Sequence, residues 1–155
     1  MSNLRRILLA EDDARDVELT LLALGEYKLA NEVDVVGDGE QALDYLFRRA
    51  AYADRDSNQP AVVLLDLKMP KLDGHEVLRT IRADPDLHLI PVVILTSSRE
   101  ERDLVEGYSL GVNAYVVKPV DFHQFIDAIK QIGAFWALVN EAPPLVADGG
   151  SLATV

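Results

Sequence analysis

At 155 residues the chain is about one domain long, and a composition of 49% hydrophobic and 26% charged residues is that of a globular fold, not a disordered one. With 26 acidic against 15 basic residues the formal charge is −11, which repels phosphate backbones and anionic lipid, so neither nucleic acid nor membrane is an expected partner. The absence of cysteine excludes disulfides, thiolate nucleophiles and cysteine-held zinc; no apolar run reaches the roughly 20 residues of a membrane span, the N-terminus lacks a signal-type apolar stretch, and a cytoplasmic protein is expected.

The first apolar run, Ile7-Leu8-Leu9-Ala10, is nearly continuous, as in a strand buried on both faces. It ends in Glu11-Asp12-Asp13, and Val17, Leu21 and Leu24, at i, i+4 and i+7, predict a helix behind it. Val33-Asp34-Val35-Val36 is the weakest strand, and its Asp34 suits a sheet edge. Gly37-Asp38-Gly39 reads as a turn and not as a dinucleotide loop, since no G-x-G-x-x-G follows a strand. Ala42, Leu43, Leu46, Phe47 and Ala50 predict the second helix, and the polar stretch from Tyr52 to Pro60 a long surface loop. The third run, Ala61 to Leu65, ends in Asp66, and Val77, Leu78 and Ile81 predict a helix after Gly74. The fourth, Pro91 to Leu95, ends in Thr96; Leu104, Val105 and Tyr108 mark a weaker helix that contains Gly107 and ends at Gly111. The fifth, Ala114 to Val117, ends in Lys118-Pro119, and the helix from Phe122 to Val139 is the most apolar of all. Pro143-Pro144 and Asp148-Gly149-Gly150-Ser151 predict an extended tail, so that 1–140 form the domain and 141–155 the tail. Strand–helix alternation repeated five times predicts an α/β fold, a doubly wound five-stranded parallel sheet with helices on both faces.

In such a sheet the C-terminal strand ends share one edge, where ligands bind. Four runs thus deliver Glu11-Asp12-Asp13, Asp66, Thr96 and Lys118 to one place. A lone acid at a strand end is usually a cap or turn residue, but four complementary groups at one edge are not explained that way. Converging carboxylates need help to stay ionised, and hard oxygen ligands favour Mg²⁺. A carboxylate beside a metal can act as an oxygen nucleophile toward phosphorus, while Lys118 and the Thr96 hydroxyl neutralise the transferring group. A phosphatase with an aspartyl nucleophile would need a second Asp two positions on, where Lys68 stands; a degenerate interaction domain would lack Asp66 or Lys118, and both are present. His75, His88 and His123 have no metal-type spacing and read as surface or rim residues.

The stretches Ile7-Leu8-Leu9-Ala10-Glu11-Asp12-Asp13, Leu65-Asp66-Leu67-Lys68-Met69-Pro70 with Asp73-Gly74, Ile94-Leu95-Thr96-Ser97-Ser98 and Tyr115-Val116-Val117-Lys118-Pro119 together resemble the receiver domain of two-component response regulators, over the chain to about Asn140. The resemblance implies a flavodoxin-like sheet of order 2-1-3-4-5. It implies that Asp66 accepts a phosphoryl group from a histidine kinase. Mg²⁺ would be held by Asp12, Asp66 and the Lys68 backbone carbonyl, with Glu11 ligating directly or through water and Asp13 taking no metal role. Thr96 and the Ser97 amide would bond the phosphoryl oxygens, Lys118 would pair with them, and Thr96 and Tyr115 would form the switch. Pro119 would be a cis proline, and Lys68 and Ser98 would tune the site. Such a protein is not an enzyme acting on an outside substrate: it catalyses only its own phosphorylation and dephosphorylation. The length leaves no room for an ordinary output domain, so a stand-alone regulator signalling through its own surface is expected.

The loop near Tyr52-Ala53-Asp54-Arg55 and the segment from Val120-Asp121-Phe122 through Phe135-Trp136 to Pro143-Pro144 resemble the single-domain regulators paired with phytochrome-type histidine kinases. On the last helix Phe122, Ile126, Ile129 and Trp136 can face the sheet. Phe125, Ile132, Phe135 and Val139 spread over an adjoining sector, and this second stripe predicts a homodimer.

Overall fold

The computed structural model describes residues 6–25, 32–56, 58–97, 101–118 and 122–134. Its elements are β1 (Ile7–Ala10), α1 (Ala14–Gly25), β2 (Val33–Val36), α2 (Gly39–Phe47), a 3₁₀ turn (Ala50–Tyr52), β3 (Val62–Leu65), α3 (Gly74–Ala83), β4 (Val92–Thr96), α4 (Glu101–Ser109), β5 (Ala114–Val117) and α5 (Phe122–Ala134). All strand pairings are parallel, in the order β2-β1-β3-β4-β5. Ile7 lies opposite both Val33 and Val62, so β1 sits between β2 and β3, and β2 is an edge.

The continuous apolar runs are explained by two-sided burial. Alternate residues Leu8, Ala10, Val63, Leu65, Val92 and Ile94 join Leu43, Leu46, Val77, Leu78 and Ile81 in one core under α2 and α3. The intervening Ile7, Leu9, Val62, Leu64, Val93 and Leu95 join Ala23, Leu24 and Ile129 in the other, under α1 and α5. Each large aliphatic side chain buried this way contributes about 1.5–3 kcal/mol before entropy is charged against it. Side-chain caps set two helix starts: Asp38 accepts from the Gln41 amide and Asp73 from the Glu76 amide.

At the β2 edge Asp34 accepts from Arg6 Nε and Nη2, both at 2.8 Å, and from the Tyr45 hydroxyl at 2.5 Å. Burial alone would raise its pKa, but these charge-assisted bonds outweigh it and hold the carboxyl below the ordinary range.

Two sequence readings, those of Ala50 and His75, are corrected, and two others gain detail. Ala50 does not extend the α2 stripe: the helix closes at Phe47 because Arg48 turns left-handed, with φ 55°, and Ala50 is exposed. The stretch after it is the expected surface loop, entered through the 3₁₀ turn and ordered by side chains. The Arg55 guanidinium lies 4.2 Å over the Tyr45 ring and donates to the carbonyls of Tyr45 and Asn58 and to the Gln59 side chain, while Tyr52 packs edge-on against Tyr45. The expected helix α4 forms around Gly107, which is buried, while Leu104 and Tyr108 are exposed. A Cβ on Gly107 would lie 3.2 Å from Ile94 Cδ1 and 3.3 Å from Tyr115 Cδ2, so this helix is drawn in by the lack of a side chain. His75 is buried, not a rim residue: its Nε2 lies 3.1 Å from the Asp103 carbonyl and its Nδ1 3.7 Å from Glu106, so it joins α3 to α4.

On α5 Ile129 is wholly buried and Ile126 partly so, as expected of the sheet-facing stripe. The side chains of Phe122, Phe125 and Ile132, residues 135–155 with Phe135, Trp136 and Val139, and the expected cis bond at Pro119 lie outside the described part, as does Ser98.

Candidate functional site

Beyond β1 the chain stays in register with its neighbour: the Glu11 amide donates to the Val36 carbonyl, and the Asp66 amide, just past β3, donates to the Ala10 carbonyl. These bonds fix Glu11 and Asp66 side by side, 3% and 9% exposed, with Asp12 outside them. Carboxylate oxygens of Glu11, Asp12 and Asp66 lie within 4.8 Å of one another. The Asp13 side chain caps α1, its Oδ1 accepting from the amides of Arg15 and Asp16, while its backbone amide donates to Glu11 Oε2 at 3.2 Å. Gly74 brings α3 against this corner, since a Cβ there would come within 2.5 Å of the Asp66 carbonyl oxygen. Lys68 lies two residues past Asp66 on the loop to α3, its side chain exposed.

Thr96, almost wholly buried, ends β4, and Ser97 follows it, exposed. The Lys118 amide donates to the Thr96 carbonyl at 2.7 Å, which anchors the end of β5. From there Lys118 reaches into the acidic corner. Its Nζ donates to Glu11 Oε1 at 2.5 Å and to Asp16 Oδ2 at 2.7 Å, and lies 3.8 Å from Asp66 Oδ2. Tyr115 pairs with Ile94 on β4 and is half-buried beside Gly107.

The structure thus brings Glu11, Asp12, Asp66 and Lys118 together, with Thr96 on the next strand end. Sequence reasoning missed Asp16. Its spacing gave no signal, because Asp12 lies ahead of α1 and shares no helix face with it. One ammonium meets three carboxylates, Glu11, Asp16 and Asp66, and Asp12 adds a fourth to the corner. Burial disfavours the Lys118 charge, but the bonds to Asp16 and Glu11 and the nearby Asp66 outweigh it and raise its pKa. Burial pushes the Glu11 carboxyl up from 4.5 to about 7, against the bond from Lys118 and with the help of the adjoining Asp66. Such a corner lacks positive charge, and its all-oxygen donor set fits a hard divalent cation such as Mg²⁺.

The Glu11 shift has a pH consequence for the metal-free protein. Between about 4.5 and 7 the folded chain keeps a proton that the unfolded chain has lost. The native state binds more protons in that window, so stability falls as pH rises through it, by on the order of 2 kcal/mol. Urea unfolding in EDTA at pH 5 and pH 7.5 is expected to show this loss in the wild type and much less of it in Glu11→Gln. An equal loss in both would contradict it.

The family profile of the response regulator receiver domain matches residues 7–130. Response regulator Rcp1 of Synechocystis sp. is 38% identical over 130 residues, 84% of this chain and 87% of its own length. The structure of the Mn²⁺-bound form of response regulator Rcp1 superposes with a TM-score of 0.82 at 36% identity, covering 90% of this chain and 99% of that one. The phosphorylated cyanobacterial phytochrome response regulator RcpA gives 0.83 at 38% identity, covering 90% and 99%. The bacteriophytochrome response regulator RtBRR is 59% identical, with a TM-score of 0.72 over 96% of this chain and 86% of that one.

Proposed function

Since the chain belongs to the response regulator receiver domain family of two-component systems, we propose that it is a stand-alone cytoplasmic regulator that accepts a phosphoryl group from a phytochrome-type histidine kinase onto Asp66. The observation that carries this reading is the acidic trio of Glu11, Asp12 and Asp66 with the Lys118 ammonium 3.8 Å from Asp66. The phytochrome regulators among its relatives, RcpA and RtBRR, support the choice of kinase.

Glu11, Asp12, Asp66 and the Lys68 backbone carbonyl would hold Mg²⁺. When bound, the ion neutralises the acceptor carboxylate and the incoming phosphoryl oxygens. Asp66 attacks through a carboxylate oxygen, a nucleophile that needs no general base. In the transfer an Asp66 Oδ–P bond forms and the donor's N–P bond breaks, and the imidazole leaving group takes up a proton. Lys118 gives its charge to the phosphoryl oxygens, and the Thr96 hydroxyl and the Ser97 amide donate to them. Drawing Thr96 inward leaves room that Tyr115, on the neighbouring strand, follows, which makes these two residues the switch. The only reactions the chain catalyses are its own phosphorylation and dephosphorylation.

The test is transfer from an autophosphorylated phytochrome-type histidine kinase carrying label on its histidine. Label moving to this chain with Mg²⁺ and staying on the kinase in EDTA is the expected result. No transfer from such a kinase, with transfer from an unrelated one, would remove the phytochrome assignment.

A homodimer would form through the last helix, on the apolar sequence stripe of Phe125, Ile132, Phe135 and Val139. Large side chains left in water forgo roughly 1.5–3 kcal/mol each, and a two-fold axis lets one stripe serve both subunits. Light scattering at micromolar concentration is expected to give a dimer for the wild type and a monomer for Ile132→Asp with Phe135→Asp. A wild-type monomer before and after phosphorylation would overturn the dimer.

A further inference from the structure

Lys118 is held by two carboxylates, and only one of them belongs to the acidic trio. Glu11 lies in the trio. Asp16 does not; it projects from the first turn of α1, 29% exposed, and takes the Lys118 Nζ at 2.7 Å. The ammonium is largely withdrawn from water, its side chain 11% exposed, so it needs charged acceptors to remain in place. Its remaining neighbours, Glu11 and Asp66, are the groups a divalent cation requires. We propose that Asp16 is a positioning residue that holds the Lys118 ammonium at the rim of the acidic corner, so that a cation can take Glu11 and Asp66 without having to displace the lysine.

The mounting of Asp16 suits that task. Its amide donates to the capping carboxylate of Asp13 at 3.0 Å, and its carbonyl accepts from the Thr20 hydroxyl at 2.7 Å. The carboxylate is therefore presented from a fixed helical turn, at the positive end of the helix dipole. When a cation draws Glu11 away, Lys118 keeps one full charge-assisted bond and is not stranded in a desolvated corner. Without Asp16 the ammonium turns fully to Glu11 and Asp66. It then competes with the cation for both and repels it at close range.

This inference rests on the metal-binding reading of the site. The test is calorimetric titration of the metal-free protein with MgCl₂, in wild type, Asp16→Asn, Lys118→Met and the double variant, with melting in EDTA to verify folding. Asp16→Asn is expected to weaken Mg²⁺ binding three- to tenfold in the wild-type background and less than twofold in the Lys118→Met background, because Asp16 acts through the lysine. Asp16→Glu is expected to restore at least half of the loss, and Asp16→Ser repeats the test should Asp16→Asn fail to fold. An unchanged Kd in Asp16→Asn, or a loss above twofold that persists without the lysine, overturns the proposal while leaving the metal site intact. A wild type that binds no Mg²⁺ overturns the metal site, and the proposal with it.

Discussion

Asp66→Asn is expected to abolish phosphorylation from acetyl phosphate or from a kinase, a loss on the order of 10²–10³-fold or to below detection. The substitution keeps the shape of the side chain and replaces the charged nucleophilic oxygen with a neutral amide. It leaves the backbone frame untouched, because the amide of residue 66 still donates to the Ala10 carbonyl. It also removes one of the carboxylates that crowd the corner, so the variant should melt at or above the wild-type temperature in EDTA. Phosphate-affinity gel electrophoresis after reaction with acetyl phosphate and Mg²⁺ checks the first statement, and a thermal melt the second. Labelling of Asp66→Asn at the wild-type rate would place the acceptor elsewhere.

Asp12→Ala is expected to remove the response to Mg²⁺. Three carboxylates within 4.8 Å repel one another, and a cation bound only by the folded state stabilises it by mass action. At a hundred times its Kd, Mg²⁺ adds about 2.7 kcal/mol, which for a chain of this size raises the melting temperature by roughly 5–10 °C. Asp12 is exposed, so truncating it loses no core contact while it takes away both a ligand and a repulsive charge. Calorimetric melting should therefore show a Mg²⁺ shift in the wild type, less than about a quarter of it in Asp12→Ala, and no loss of stability in the metal-free variant. A full Mg²⁺ shift in Asp12→Ala would move the metal away from this corner.

The sheet was legible because burial on both faces leaves a plain mark. Ile7 to Ala10 and Val62 to Leu65 can be nothing but apolar when each faces a helix layer. The positions of Glu11, Asp12, Asp66, Thr96 and Lys118 followed from the same fact, since parallel strands end on one edge. What escaped the sequence depended on single backbone or side-chain events with no periodic trace. Arg48 ends α2 by turning left-handed, which Ala50 gives no sign of. Arg55 orders its loop by stacking on Tyr45, a partner ten residues earlier in the chain. His75 is buried because Asp103, 28 residues away, offers it a carbonyl. On α4 Gly107 is buried while Leu104 and Tyr108, two of the side chains that marked the helix, face solvent. Asp16 reads as an ordinary first-turn acid until Lys118, 102 residues later, is seen beside it.

The central claim is that the edge of the sheet is a Mg²⁺-dependent phosphoryl acceptor centred on Asp66. Its most direct test is to react the wild type with acetyl phosphate, reduce the acyl phosphate with borohydride, and locate the modified residue by peptide mass spectrometry. One modified aspartate, Asp66, formed with Mg²⁺ and absent in EDTA, is the predicted result; modification at another residue, or at Asp66 to the same extent in EDTA, would contradict it.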